Sequence, residues 1–221
     1  MKINNNEIKL IIFDLDGTVI DSCGIWKRID HNFFGKRNIP YPETYGTTIA
    51  HMGLEQTAIY TKNTFNLSES IEEIMEEWMN ESRHLYQNEI LLKDGVREFV
   101  EQCHQENIPM VVATACDESC YVPCLKRNQI YDDFVSITDT KTYPQGKATP
   151  DIYLDIAKKY HVEPKEVVVF EDIVVALKSA IKGGFNTVGV YEKTSSKEDD
   201  ETKKQISNLY INSFNELLKY K

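Results

Sequence analysis

No run of about 18 apolar residues exists in this sequence, so no transmembrane helix is expected. Met1-Lys2-Ile3-Asn4-Asn5-Asn6-Glu7 is not followed by a long apolar segment, so the beginning does not read as a signal peptide. Positive charge is in deficit. Twenty-five Lys and Arg face 35 Asp and Glu, a formal charge of −10. That balance argues against nucleic acid and anionic membranes as partners, and an anionic substrate would need a local positive site. Cysteine is scarce and odd in number: Cys23, Cys103, Cys116, Cys120 and Cys124. Without an export signal, this predicts free thiols in a reducing cytoplasm. Cys116, Cys120 and Cys124 stand four apart, but no fourth Cys or His lies near to complete a structural zinc site, so small buried residues are expected. No internal repeat or low-complexity tract is present.

What is present is enough apolar residue for a packed core. At 221 residues and 41% hydrophobic, the chain can hold one large domain or a core with a smaller insert. Leu10 to Phe13 is an almost wholly apolar run that suits a strand buried on both faces of a parallel sheet. It stops at Asp14-Leu15-Asp16-Gly17-Thr18. In an extended chain Asp14 and Asp16 point to one side, and Gly17 allows a sharp turn. Two carboxylates this close need a shared proton or a cation between them. An Asp can attack phosphorus, a neighbouring Asp can move protons, and Mg²⁺ would mask the repelling charge. A strand ending in a polar turn is the plainer alternative. An EF-hand loop is excluded because Ile25 stands where its Glu would be.

Along the chain, residues 19–89 read as helical. Asp21 or Ser22 is placed to cap the first helix, carrying Ile25, Trp26, Ile29, Phe33 and Phe34 and ending near Gly35. Two shorter helices part near His51-Met52-Gly53, and Ser70-x-x-Glu73 opens the clearest helix as a capping box. The acidic residues Glu72, Glu73, Glu76 and Glu77 lie off its apolar stripe and read as a solvated face. From Leu92 helix and strand alternate. Strands are expected at 108–113, 134–138, 167–170, 187–190 and 209–211. Helices are expected at 95–105, within 118–128, at 151–160 and at 173–182. Thr149 is expected to cap the helix at 151, Ser195 to Lys204 reads as an exposed loop or helix start, and Ser213 is expected to cap a last helix. The alternation implies an α/β fold with a parallel sheet and helices on both faces.

The pentapeptide Asp14–Thr18 resembles the first motif of the haloacid dehalogenase superfamily, and three further segments resemble its other motifs in order. Thr114 ends the strand Met110-Val111-Val112-Ala113; Lys147 precedes Ala148-Thr149-Pro150; Glu171-Asp172 follow Val168-Val169-Phe170. The resemblance departs from the family at Ala148, Ile173 and Ala176. It covers essentially the whole chain and implies a Rossmann-like three-layer core of residues 1–20 and 91–221 with an inserted all-helical cap of residues 21–90. It implies Asp14 as nucleophile and Asp16 as acid and base. Thr114 and Lys147, with the backbone N–H groups of Ala115 and Cys116, would hold phosphate oxygens. Asp14, Asp16, Glu171 and Asp172 would form the Mg²⁺ site.

Within the superfamily, Asp16 favours phosphate over carbon–halogen chemistry. The layout resembles the phosphatase and β-phosphoglucomutase subgroup, but Trp26 stands where the mutases carry a cap His. Gly53-Leu54-Glu55 occupies the region of their sugar-phosphate Arg. The expectation is a Mg²⁺-dependent cytoplasmic phosphatase of a small phosphorylated metabolite, monomeric by default. The alternatives are a phosphomutase or a non-catalytic phosphate-binding protein. Trp26, His51 and Met52 lead the expected substrate-facing cap residues, followed by His31, Tyr45 and Arg83.

Overall fold

The computed structural model describes residues 2–3, 6–49 and 52–218. The chain divides into two compact units, Met1–Cys23 with Ile90–Lys221, and Gly24–Glu89.

The larger unit is built on six parallel strands. They are β3 (Leu10–Phe13), β4 (Met110–Thr114), β5 (Ser136–Asp139), β6 (Val167–Glu171), β7 (Asn186–Val190) and β8 (Leu209–Ile211), in the order β5-β4-β3-β6-β7-β8. A short antiparallel pair, β1 (Lys2–Ile3) and β2 (Asn6–Glu7), precedes them. Every residue of β3, β4, β6 and β7 is buried, which fits the near-continuous apolar runs of β3, β4 and β6; β7 also buries Asn186 and Thr187. Alternation divides the core into two layers. Leu10 and Ile12 face one side with Val167, Val169, Ile152, Tyr153 and Phe185. Phe13 faces the other, where Phe99, Phe134, Phe170 and Phe214 surround it at ring separations of 5.0–6.2 Å.

Around the sheet run α5 (Val96–Gln105), α6 (Glu118–Arg127), α7 (Asp151–Lys159), α8 (Val174–Lys182) and α9 (Lys197–Ile206). Of the two readings of Ser195 to Lys204, the helix start holds: α9 is capped by Ser196 and buries Lys203 rather than an apolar stripe. Other expectations need correction. Thr149 does not cap α7. Its hydroxyl turns to Asp151 at 2.7 Å, and Pro150 takes the cap position. The last helix is a single 3₁₀ turn, Phe214–Leu217, capped by Ser213 as expected. Pro123 lies inside α6 without ending it. The five cysteines form no disulfide, and all but the partly exposed Cys23 are buried.

The smaller unit consists of α1 (Ile25–Lys36), α2 (Tyr45–Ile49), α3 (Leu54–Phe65) and α4 (Ile71–Asn88). Neither Asp21 nor Ser22 caps α1. The helix starts after Gly24 with no side-chain cap, because Ser22 bonds Asp16 and Asp21 pairs with Lys193. Ser70 and Glu73 do form the capping box of α4. Phe33, Phe34, Tyr45 and Trp78 are buried here. Arg37 covers the Phe33 ring at 3.6 Å and pairs with Glu69 and Glu77, so the α4 acids are partly neutralised. No helix among the described residues is long and apolar enough to cross a membrane.

Candidate active site

The alternation that builds the core also delivers its acids. Leu10 and Ile12 share a face of β3, and Asp14 is the next residue in that series. Val167 and Val169 share the matching face of β6, and Glu171 is next there. The strands are neighbours, with Phe13 opposite Phe170, so Asp14 and Glu171 emerge side by side at the carboxyl ends. The Asp14 N–H donates to the Phe170 carbonyl at 3.0 Å. Asp172 follows, and one oxygen from each of Asp14, Glu171 and Asp172 lies within 4.8 Å of the others. All three are buried, Glu171 completely.

Burial and neighbouring negative charge, Asp16 in the case of Asp14, raise all three above the ordinary carboxylate range. Desolvation leads in each case, and the Asp14 charge then helps lift Asp172 to about 7 and Glu171 well above its usual value. The Lys147 ammonium opposes them. It reaches Asp14 and Glu171 Oε2, the latter at 2.7 Å. Burial alone would lower Lys147, but Asp14 and Glu171 hold it well above its usual value, so it stays charged. The balance is incomplete, because Glu171 Oε1 is buried with no hydrogen-bond partner among the described residues. An unpaired buried carboxylate oxygen in an all-oxygen donor set fits a hard divalent cation.

Asp16, expected among the ligands, is not one of the three clustered acids. Ser22 Oγ donates to its Oδ1 at 2.5 Å. Gly17 makes the turn with φ of +79°; a Cβ there would lie 2.4 Å from Asp172 Oδ2. Thr18 Oγ1 donates to Asp172 Oδ1 at 3.2 Å, tying the first motif to the last.

Thr114 is buried at the end of β4, and its Oγ1 accepts the Cys116 N–H at 3.0 Å. The Cys116 amide is thus engaged within the loop, a departure from its expected role toward phosphate. The hydroxyl proton of Thr114 remains to donate, and Ala115 beside it is exposed. In the smaller unit, Trp26 is 44% exposed and Met52 is half-buried. His51 lies outside the described residues. Tyr45 is a core residue whose hydroxyl meets Thr61 at 2.7 Å, and His31 stacks on Tyr41 at 4.0 Å. Arg83 donates to Asn80 at 2.6 Å.

Three contributors escape a reading of the sequence: Thr18, Tyr153 and Lys93. Tyr153 donates to Glu171 Oε2 at 3.4 Å from α7, and Lys93 holds the Gly17 carbonyl at 2.7 Å. Tyr153 has a signal, its place in the first turn of the helix that follows Lys147; Lys93 carries no local one.

A parallel sheet whose central strand ends gather three acids around a buried lysine defines a Rossmann-like enzyme. The profile of haloacid dehalogenase-like hydrolases matches residues 11–190, and the chain is an enzyme of that family. Hexitol phosphatase B of Escherichia coli (strain K12) is 28% identical over 174 residues, 76% of this chain and 77% of that protein. β-Phosphoglucomutase of Bacillus subtilis (strain 168) is 24% identical over 220 residues, 95% of each chain. A solved structure from Thermotoga maritima, assigned as a β-phosphoglucomutase, superposes with a TM-score of 0.82 over 96% of this chain and 97% of that one. At 21% identity, that superposition speaks for the fold.

Proposed function

We propose that this protein is a Mg²⁺-dependent phosphatase that hydrolyses a small phosphorylated metabolite, of the sugar or sugar-alcohol phosphate class, through an aspartyl-phosphate. The observation that carries the reading is the convergence of Asp14, Glu171, Asp172 and Lys147, with Glu171 Oε1 left unpaired. Asp14, Glu171 and Asp172 would hold the Mg²⁺. When bound, it supplies the positive charge that lets a carboxylate approach a phosphate dianion.

The chain's own residues supply the rest. Asp14 attacks phosphorus while Asp16 gives a proton to the leaving oxygen. Lys147 offsets the charge carried by Asp14 and by the transferring group, and Thr114 donates its hydroxyl to a phosphoryl oxygen. Asp16, now ionised, takes a proton from the water that attacks the phospho-Asp14, and phosphate leaves. The helical unit is proposed as a cap that selects the substrate and excludes water.

The names of the relatives support the substrate class, one being a hexitol phosphatase and another a β-phosphoglucomutase. Trp26, at the place where the resemblance puts the mutase His, favours the phosphatase. The test is hydrolysis of an aryl phosphate with Mg²⁺ and with EDTA, beside Asp14→Asn. Mg²⁺-dependent release that disappears in the variant is expected. Turnover surviving in Asp14→Asn would overturn the nucleophile assignment. Transfer between positions of a sugar phosphate, dependent on a bisphosphate primer, would show the mutase instead.

A further inference from the structure

We propose that Lys93 is a positioning residue for this reaction. Its ammonium anchors the Gly17 carbonyl and thereby sets the loop that carries Asp16 and Thr18. The inference rests on the phosphatase reading.

Lys93 has three ammonium protons and three acceptors. Its Nζ donates to Gly17 O at 2.7 Å, Tyr191 O at 2.5 Å and Glu192 Oε2 at 3.0 Å. Its own N–H donates to Val19 O at 3.0 Å, so both its backbone and its side chain grip the segment after Asp16. The side chain is 14% exposed and that of Glu192 only 2%. Glu192 is held in turn, accepting from Thr194 N at 3.2 Å and Thr194 Oγ1 at 3.3 Å. One lysine thus joins segments 76 and 99 residues away from it.

The choice of Gly17 as the anchored residue matters. A glycine peptide has no Cβ to restrain its rotation. On one side of it stands Asp16, its tip held by Ser22; on the other stands Thr18, bonded to Asp172. Rotation of the Gly17 peptide would move both. An ammonium–carbonyl bond in a part-buried site holds it more firmly than a neutral donor would. Glu192 cancels the charge of Lys93, so the pair adds no net attraction for a phosphate. Its effect belongs in kcat and not in KM.

The experiment compares Lys93→Met with Glu192→Gln, which removes the countercharge and leaves the carbonyl contacts. Steady-state kinetics are read with Mg²⁺, and amide hydrogen exchange is read at Thr18, Val19 and Ile20. A fall in kcat of at least tenfold in Lys93→Met, with KM within threefold and faster loop exchange, is expected. Glu192→Gln should stay within threefold of wild-type kcat with unchanged exchange. Lys93→Met keeping kcat within twofold, or leaving exchange unchanged, would overturn the proposal. Equal kcat losses in the two variants would also overturn it, since the ion pair and not the carbonyl contact would then matter. Should Lys93→Met fail to fold, Lys93→Met with Glu192→Met removes both buried charges, and the same kcat loss is expected. A wild-type protein without Mg²⁺-dependent turnover would fail the phosphatase reading instead, and hydrogen exchange, which needs no turnover, would still decide the anchor.

Discussion

Single residues in this protein are held where ordinary chemistry disfavours them. Gly17 is one. Its positive φ, and the 2.4 Å that would separate a Cβ at this position from Asp172 Oδ2, together forbid a side chain. Gly17→Ala should cost about 1–3 kcal/mol of stability and, by displacing Asp172, lower kcat on the order of a hundredfold; urea unfolding and turnover check the two effects separately. Asp30 is another. It is buried in the helical unit beside Tyr41 and Tyr45, and desolvation raises it to about 6. A raised acid favours the protonated folded state. Its stabilising proton is present below pH 3.8, and stability then falls as pH rises through 6. Asp30→Asn should remove that slope and stabilise the unit at neutral pH by about 1–2 kcal/mol, measured as unfolding free energy against pH.

At the scale of elements, α4 depends on its start. Ser70 Oγ accepts the Glu73 N–H at 3.1 Å while Glu73 returns a bond to the Ser70 N–H at 2.7 Å. Ser70→Ala should therefore cost about 1 kcal/mol, read as a lowered urea midpoint with an unchanged slope. This capping box was legible because both its partners lie within one turn. The buried strands β3, β4 and β6 were legible for a similar reason, being apolar runs closed by polar residues. The helix α9 was not. Its buried face is Lys203, which reaches Val190 O at 3.0 Å, Ser195 Oγ at 3.1 Å and Asp200 at 2.9 Å, so no apolar period marks it. The site divides along the same line. Asp14, Lys147, Glu171 and Asp172 could be read from strand ends and their following loops. Thr18 and Lys93 could not, because their partners are 154 and up to 99 residues distant.

For the whole molecule, charge is the dominant global property. A formal charge of −10 surrounds a site proposed to take an anionic ester, and Lys147 is already shared between two carboxylates. Long-range repulsion should then slow substrate capture, and salt should relieve it. Raising NaCl from about 10 to 200 mM is expected to increase kcat/KM by about two- to fivefold, with kcat unchanged. A decrease would show that local positive potential outweighs the global charge.

The discontinuity of the larger unit carries a consequence for how the protein is made. The helical unit, Gly24–Glu89, is one uninterrupted stretch, whereas the sheet draws on both sides of it. On a ribosome β3, which leads into Asp14, is the first strand of the six-stranded sheet to emerge, yet both its sheet neighbours, β4 and β6, are translated later. The helices can fold while that strand waits unpaired. Asp14 meets Lys147 and Glu171 only after more than three quarters of the chain has been translated. A nascent chain released before that point carries Asp14, the proposed nucleophile, without its partners, so shortened translation products should be catalytically silent.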